Sequence, residues 1–459
     1  MRGSMLNKRL FGTSGVRGVV NVDLTPELAL KIGLALATLK KRGADFTLAH
    51  DTRISSPTIS SALASGLLAG GGNIKVLGIM PTPTLAYLTR SLGAATGIMI
   101  TASHNPPEYN GVKLFSQEGM AYVERQQAQV EGLLRSGKFR RVKWSELGKQ
   151  LNADETHRYV AAVLDRVGLE KKWRVVLDPG CGAASYLAPL IFRQLQCETI
   201  CVNAQPDGFF PGRSPEPLPE NLTSICDAVR QFGADVGFAY DGDADRMVVI
   251  DEKGRYAPLD QTLASYAAYV VAENKGGSIV VPIDTSMCVE EVIENRGGRV
   301  IRTKVGDVNV AQAIKKHKAL FGGEACGAWI NPEIHLCPDG ILSSALFLEA
   351  VERGGETVSA FTSKVPVYPM MREKIDCPER IQNAAMKRLE RSLSKSLPKP
   401  FEITTIDGVK AATSDGWVLV RSSGTEPTVR VTAEAKTEKL AKKLLRIGVE
   451  VAKRSIRGA

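Results

Sequence analysis

Three times along this 459-residue chain, a short apolar strand runs into an aspartate, a tight turn and a helix. Phe46-Thr-Leu-Ala-His-Asp51 is the first such unit, followed by Thr-Arg and a helix from Ser55. Arg174-Val-Val-Leu-Asp178 is the second, followed by Pro-Gly and a helix from about Ala183. Ser278-Ile-Val-Val-Pro-Ile-Asp284 is the third, followed by Thr-Ser and a helix through Val289. Units of one kind set roughly a domain length apart predict three related α/β domains in series. After Ser363 the pattern changes to shorter strands and basic helices, which predicts a C-terminal domain of α+β type. A polar, charged stretch from Glu131 to Asn152 and a turn at Asp251-Glu-Lys-Gly254 place the boundaries. The expected domains are therefore 5–150, 151–252, 253–365 and 366–459, a reasonable division for a chain of this length.

Composition narrows the class. The apolar fraction of 44% and the charged fraction of 24% are those of a soluble globular protein. No apolar run approaches a membrane span, and no secretory segment opens the chain. Met1-Arg-Gly-Ser4 ahead of Met5 reads as an expression tag, with the native start expected at Met5. Eight cysteines lie scattered without CxxC pairs, so reduced core thiols of a cytoplasmic protein are expected and a zinc site is not. The net charge of +10 raises the question of nucleic acid. From Lys436 onward, however, eight Lys/Arg sit on a segment with Leu440, Leu444, Ile447 and Val451 at helical spacing. That is an amphipathic helix with a solvated basic face, and no nucleic-acid motif accompanies it. A cationic surface also steers anionic small substrates. Near the start, Thr25-Pro26 opens a helix with Thr as cap, Leu28, Ile32, Leu36 and Leu39 form its apolar face, and Gly43 ends it.

The loops carry the chemistry. The apolar run Gly97-Ile-Met-Ile100 feeds into Thr101-Ala-Ser-His-Asn-Pro-Pro-Glu-Tyr-Asn-Gly-Val-Lys113, read as a loop presenting Ser103, His104, Asn105, Asn110 and Lys113. Pro106 and Pro107 stiffen it, and Gly111 allows a turn. Open α/β sheets place their ligands in such loops at strand carboxyl ends. The strand Ala234–Tyr240 feeds into Asp241-Gly-Asp-Ala-Asp-Arg246. Carboxylates at i, i+2 and i+4 in extended chain project to one side, and three of them repel unless a hard cation such as Mg²⁺ or Ca²⁺ binds. An EF-hand is excluded, because Arg246 stands where its loop needs Gly and the flank Met247–Ile250 is strand-like. Further along, Lys304-Val-Gly-Asp307 and Gly322-Gly-Glu-Ala-Cys-Gly327 follow apolar strands, and Glu324 is placed to meet sugar hydroxyls. Arg421-Ser-Ser-Gly-Thr425, with Arg430 nearby, joins an Arg fork to hydroxyls and backbone amides, a good phosphate site.

Taken together, TASHNPPEYNGVK, DGDADR, GGEACG and RSSGTEPTVR, in this order, resemble the α-D-phosphohexomutase family of phosphoglucomutases, phosphomannomutases and phosphoglucosamine mutases. The resemblance runs from about Leu10 to Arg430 and implies three related α/β domains plus a C-terminal α+β domain around a central cleft. It also implies that Ser103 carries the transferred phosphoryl group. Asp241, Asp243, Asp245 and the Ser103 phosphate would hold one Mg²⁺, and Glu324, Cys326 and Gly327 would recognise the sugar. Arg421, Ser422, Ser423, Gly424, Thr425 and Arg430 would hold the substrate's phosphate, and Arg17, Lys113 and Arg246 would surround the one in transfer. The implied reaction interconverts hexose 6-phosphate and hexose 1-phosphate through hexose 1,6-bisphosphate, in a monomer or homodimer. Lys113, given a lowered pKa, and His104 are both candidate general bases. Phe11–Gly18, Lys304–Asp307 and Gly424-Thr-Glu-Pro427 look most like phosphoglucosamine mutases, with phosphomannomutase or phosphoglucomutase as the alternative. The sugar loop departs from the frequent Gly-Glu-x-Ser-Gly pattern, with Cys326 in the Ser place and Ala328 where His often follows. Two other readings are a Mg²⁺-dependent sugar phosphatase and a non-catalytic sugar-phosphate sensor. Intact Ser103 and three intact aspartates weigh against the sensor, and the Arg421–Arg430 clamp weighs against the phosphatase.

Overall fold

The computed structural model describes residues 10–12, 15–396, 400–422 and 427–458. The chain divides into two compact units, Met1–Thr262 with Cys326–Thr362, and Leu263–Ala325 with Ser363–Ala459.

The first unit opens with β1 (Val16–Val19), α1 (Pro26–Leu39), β2 (Asp45–His50), α2 (Ser56–Ala69), β3 (Asn73–Ile79), α3 (Thr82–Ser91), β4 (Thr96–Ile100), β5 (Tyr109–Ser116), α4 (Glu124–Ser136) and β6 (Gln150–Asn152). Its sheet runs β1-β5-β4-β2-β3-β6. β2 lies parallel to β3 and β4, and β5 runs antiparallel to β4 and β1. Thr25 caps α1 by accepting from Leu28 N–H at 3.3 Å, as the Thr-Pro pair predicts. The helix stops at Leu39, ahead of Gly43, which takes a φ of +75° in the turn toward β2. The stretch Glu131–Asn152 is partly structured. Glu131 lies within α4, nearly buried, and accepts from the N–H groups of Leu10 and Phe11 at 2.9 Å each. Gln150–Asn152 forms β6, paired parallel to β3. The polar stretch thus includes a helix anchor and an edge strand of this sheet.

A second sheet follows in the same unit, built from α5 (Thr156–Arg166), β7 (Arg174–Asp178), α6 (Leu187–Gln194), β8 (Glu198–Cys201), α7 (Thr223–Phe232), β9 (Val236–Tyr240) and β10 (Met247–Ile250). The order is β10-β9-β7-β8, with β7 parallel to both neighbours and β10 antiparallel to β9. The helix expected from Ala183 begins as one 3₁₀ turn, Ala183–Ser185, before α6. Helix α8 (Leu259–Glu273) comes next.

The second unit contains β11 (Gly277–Pro282), α9 (Cys288–Glu294), β12 (Gly298–Thr303), α10 (Asp307–His317) and β13 (Phe321–Gly323), with β11 parallel to β12 and β13. The first unit is completed by β14 (Trp329–Ile330), α11 (Gly340–Arg353) and most of α12 (Val358–Ser363). The second unit ends with β15 (Met370–Asp376), α13 (Glu379–Ser396), β16 (Glu402–Thr404), β17 (Val409–Thr413), β18 (Gly416–Ser422), β19 (Thr428–Ala435) and α14 (Glu438–Arg457). These strands form an antiparallel sheet, β15-β19-β18-β17-β16, the expected α+β arrangement. In α14, Leu444 and Val451 are buried and Leu440 and Ile447 pack against the same core, so the basic residues face outward.

One device recurs in all three α/β repeats. Arg53 donates to the carbonyls of Ser103, Asn105, Pro106 and Tyr109 and pairs with Asp51. Arg213 donates to the carbonyls of Asp178, Ser214 and Tyr240 and pairs with the Asp178 carboxylate. Arg302 donates to those of Pro282, Thr285 and Ser286 and pairs with Glu290. A guanidinium carries five N–H donors in a rigid fork, so one side chain satisfies several carbonyls at strand ends and in the turns beside them.

Candidate active site

The backbone of β4 delivers Ser103 in a left-handed conformation, φ +53°. Such a φ costs of order 1 kcal/mol or more for a residue with a Cβ. The surroundings hold it there. Ser103 N–H donates to Thr101 Oγ1 at 2.9 Å, and Thr101 Oγ1 donates to Asp51 Oδ2 at 2.7 Å. Arg53 grips the Ser103 carbonyl from the other side at 2.9 Å. Ser103 Oγ then donates to Asp241 Oδ2 at 2.7 Å and lies 3.2 Å from His104 Nδ1.

The acidic loop comes from the second repeat, with Arg213 holding the Tyr240 carbonyl immediately ahead of it. It is a turn rather than extended chain, and Ala244 sits at φ +57°. Even so, the turn gathers Asp241, Asp243 and Asp245, all buried, so that one oxygen from each lies within 4.8 Å of the others. Gly242 permits the approach to the serine loop, since a Cβ there would stand 2.4 Å from the Ser103 carbonyl oxygen.

Lys113 and Gly111 lie within β5 rather than on the loop. Gly111 serves close packing instead of a turn, because a Cβ would meet the carbonyl oxygens of Thr101 and Val16 at 2.5 Å each. From the strand, Lys113 Nζ reaches Asp243 Oδ2 and Asp245 Oδ2, both at 2.7 Å. Burial favours the neutral amine, but the two aspartates outweigh it and hold the Lys113 pKa above its ordinary value. This is opposite to the lowered pKa a general base needs. His104 moves the other way. Burial, with Arg246 and Arg17 close by, drives its pKa down to about 2, so the ring is neutral near pH 7.

The aspartates are not equivalent. Burial, reinforced by Asp245 and Asp243, pushes the Asp241 pKa well above the carboxylate range. Burial also opposes ionisation of Asp243, yet Lys113 and Thr82 outweigh it and hold that group below the range. Asp243 Oδ1 is buried with no hydrogen-bond partner. Hard carboxylate oxygens, mutual repulsion and one orphaned acceptor together fit a divalent cation, so this triad is able to hold a metal ion.

Two cations complete the cluster. Arg17, on β1, donates from Nη1 to Asn105 Oδ1 at 2.9 Å, while its buried Nε has no partner. Arg246 lies 3.9 Å from both Glu216 and Asp245. Thus Arg17, Ser103, His104, Lys113, Asp241, Asp243, Asp245 and Arg246 all belong to one assembly in the first unit. Cys326 is half-buried there, and the Gly327 carbonyl accepts from Met247 N–H at 3.1 Å.

In the second unit, Glu324 accepts from Gly306 N–H at 2.9 Å, which ties the sugar loop to the Lys304–Asp307 turn. Arg421 and Arg430 stand directly opposite on β18 and β19, and Arg421 lies 3.8 Å from Asp407. Ser422 ends β18, whereas Ser423, Gly424 and Thr425 lie outside the described residues. Arg53, Arg213 and Thr82 escaped sequence reasoning. The only local signal was the Arg two residues after Asp51; nothing near Asp178 or Asp241 points to Arg213 or Thr82.

Comparison with known proteins supplies the family. Residues 8–141, 157–254 and 258–368 match the three alpha/beta/alpha domains of phosphoglucomutase/phosphomannomutase, and residues 374–447 match its C-terminal domain. A protein of Methanothermobacter thermautotrophicus named probable phosphoglucosamine mutase is 47% identical over 435 residues, 95% of each chain. A Pyrococcus horikoshii protein of the same name is 42% identical, covering 95% of this chain and 96% of its own. Among solved structures, a phosphoglucomutase/phosphomannomutase family protein of Burkholderia thailandensis matches with a TM-score of 0.89 and 28% identity, over 98% of both chains. The chain therefore belongs to the phosphoglucomutase/phosphomannomutase family and is a phosphohexomutase, an isomerase.

Proposed function

We propose that the protein is a phosphoglucosamine mutase interconverting glucosamine 6-phosphate and glucosamine 1-phosphate through phospho-Ser103 and the 1,6-bisphosphate. The observation that carries the mechanism is Ser103 Oγ on Asp241, inside a triad able to hold a metal and beside Lys113, Arg17 and Arg246. The choice of sugar is supported by relatives named probable phosphoglucosamine mutase at 40–47% identity.

In this reading the Ser103 Oγ–P bond breaks as a bond forms from phosphorus to the free sugar hydroxyl. The hydroxyl's proton passes by net transfer to Ser103 Oγ, and His104 Nδ1 is the ring nitrogen next to that oxygen. The reversed transfer returns the other phosphate to Ser103. Phosphoryl transfer depends mostly on positioning and electrostatics. Lys113 acts there as a fixed cation, consistent with its raised pKa. Arg17 Nε, buried and unpartnered, is a donor for a phosphoryl oxygen. Asp241, Asp243 and Asp245 would hold Mg²⁺, which when bound offsets negative charge on the transferring group. Glu324, Cys326 and Gly327 are assigned to the sugar, and Arg421 to Thr425 with Arg430 to the stationary phosphate. The four-domain division at 150, 252 and 365 belongs to the same proposal. No helix among the described residues is long and apolar enough to cross a membrane; a cytoplasmic location is part of the same proposal.

The test is ³¹P NMR of the protein with Mg²⁺ and a trace of hexose 1,6-bisphosphate, offering glucosamine, mannose and glucose 6-phosphates separately. A 1-phosphate resonance growing fastest from glucosamine 6-phosphate is expected, and none with Ser103→Ala. Faster turnover of mannose or glucose 6-phosphate would replace the proposed sugar. Inorganic phosphate as the sole product would replace the mutase with a phosphatase.

A further inference from the structure

Asp243 is held by more than its own turn. Thr82, buried at the first position of α3, donates its side-chain hydroxyl to Asp243 Oδ2. Its backbone N–H donates to the Asp243 carbonyl at 2.9 Å. Pro81 and Pro83 flank it. Neither proline has an N–H, so Thr82 carries the only backbone donor of that triplet, and its neighbours' φ angles are fixed. A β-branched side chain is itself restricted at χ1. The positive end of the α3 dipole also favours a carboxylate at this place.

The other contact to Asp243 comes from Lys113 Nζ, which meets the same oxygen, Oδ2, at 2.7 Å. Both protein donors thus occupy Oδ2, while Oδ1 is buried without a partner. A carboxylate free to rotate about its terminal bond would share these donors between its oxygens. Here the ring of contacts distinguishes them. We propose that Thr82 is a positioning residue of the metal centre, engaging Asp243 Oδ2 so that Oδ1 faces a divalent cation. The inference rests on the metal assignment made above. Groups that orient metal ligands typically change affinity or activity by about 10–100-fold when removed.

The experiment titrates Mn²⁺ into the full-length protein and follows loss of the free-ion signal by electron paramagnetic resonance, with no sugar present. Wild type, Thr82→Val, Thr82→Ser and Asp243→Asn are compared, each checked for native thermal unfolding. Valine keeps the shape and the backbone N–H but removes the hydroxyl. Mn²⁺ binding weakened roughly tenfold in Thr82→Val and restored toward wild type in Thr82→Ser is the expected result. Should valine crowd the carboxylate and unfold the protein, Thr82→Ala is read by the same titration with the same expectation. Wild-type affinity in the variant lacking the hydroxyl would overturn the positioning role and leave the metal site standing. Failure of wild type itself to bind Mn²⁺ would overturn the metal assignment and this inference with it.

Discussion

The Arg53 guanidinium, with a fully buried side chain, donates to the Ser103 carbonyl at 2.9 Å while its Nε meets Asp51 at 3.0 Å. One side chain thereby ties the strained backbone of Ser103 to the end of β2. Removing one partner of a buried pair costs about 3–5 kcal/mol, because the other charge is left uncompensated. Arg53→Met is expected to lose stability of that order in urea unfolding. Arg53→Lys should recover only part of it, since a point charge cannot replace the fork. A Lys variant as stable as wild type would contradict the clamp.

Ser103 Oγ and His104 Nδ1 define a pH test. The His104 pKa falls from its ordinary value near 6.5 to about 2 through burial, then Arg246 and Arg17, with Asp243 opposing and Lys113 reinforcing. The unfolded chain therefore binds a proton that the folded one refuses between those values. This contribution to stability is complete above pH 6.5 and is lost as pH falls through the window toward 2. His104→Gln should show a shallower fall of unfolding free energy between pH 6.5 and 4 than wild type. Parallel curves would rule out a neutral His104.

Asp241 predicts an exchange of stability for binding. Its pKa is raised by burial, Asp245 and Asp243, so its ionisation opposes folding. A group whose folded pKa is raised stabilises below its unfolded pKa, and that stabilisation is lost as pH rises through the folded one. At pH 7.5 without divalent ions, Asp241→Asn is expected to melt higher than wild type. Added Mg²⁺ should raise the melting temperature of wild type and leave the variant nearly unmoved. A variant that responds to Mg²⁺ like wild type would remove Asp241 from the metal set.

Arg421 faces Arg430 across β18 and β19, two like charges brought together, with Asp407 3.8 Å from Arg421. That arrangement suits a dianionic phosphate. Hydrogen bonds to charged groups contribute about 1.5–3 kcal/mol, so Arg421→Ala should lower kcat/KM about ten- to a hundredfold, mostly through KM. A change confined to kcat would take Arg421 out of substrate binding.

The sequence alone determined the repeated strand–Asp–turn–helix units, the cap at Thr25, the basic face of α14 and the candidates Ser103, Asp241, Asp243 and Asp245, which the structure brings together. These are legible because they depend on local periodicity, turn chemistry and residues within a few positions of one another. The polarity of the Glu131–Asn152 stretch is legible locally, but its division into a helix anchor and an edge strand is set by contacts with Leu10, Phe11 and β3. The strand position of Lys113 and its two carboxylate partners are not legible locally, because they are set by pairing with β4 and by Asp243, 130 residues away. Only the tertiary structure decided which way burial and neighbouring charges push the pKa values of Lys113 and His104, the clamps by Arg53 and Arg213, and the hold of Thr82 on Asp243, 161 residues distant. Each depends on which charges and donors burial brings within contact distance. Electrostatic interaction and hydrogen bonding act through space, and spacing along the chain does not encode them.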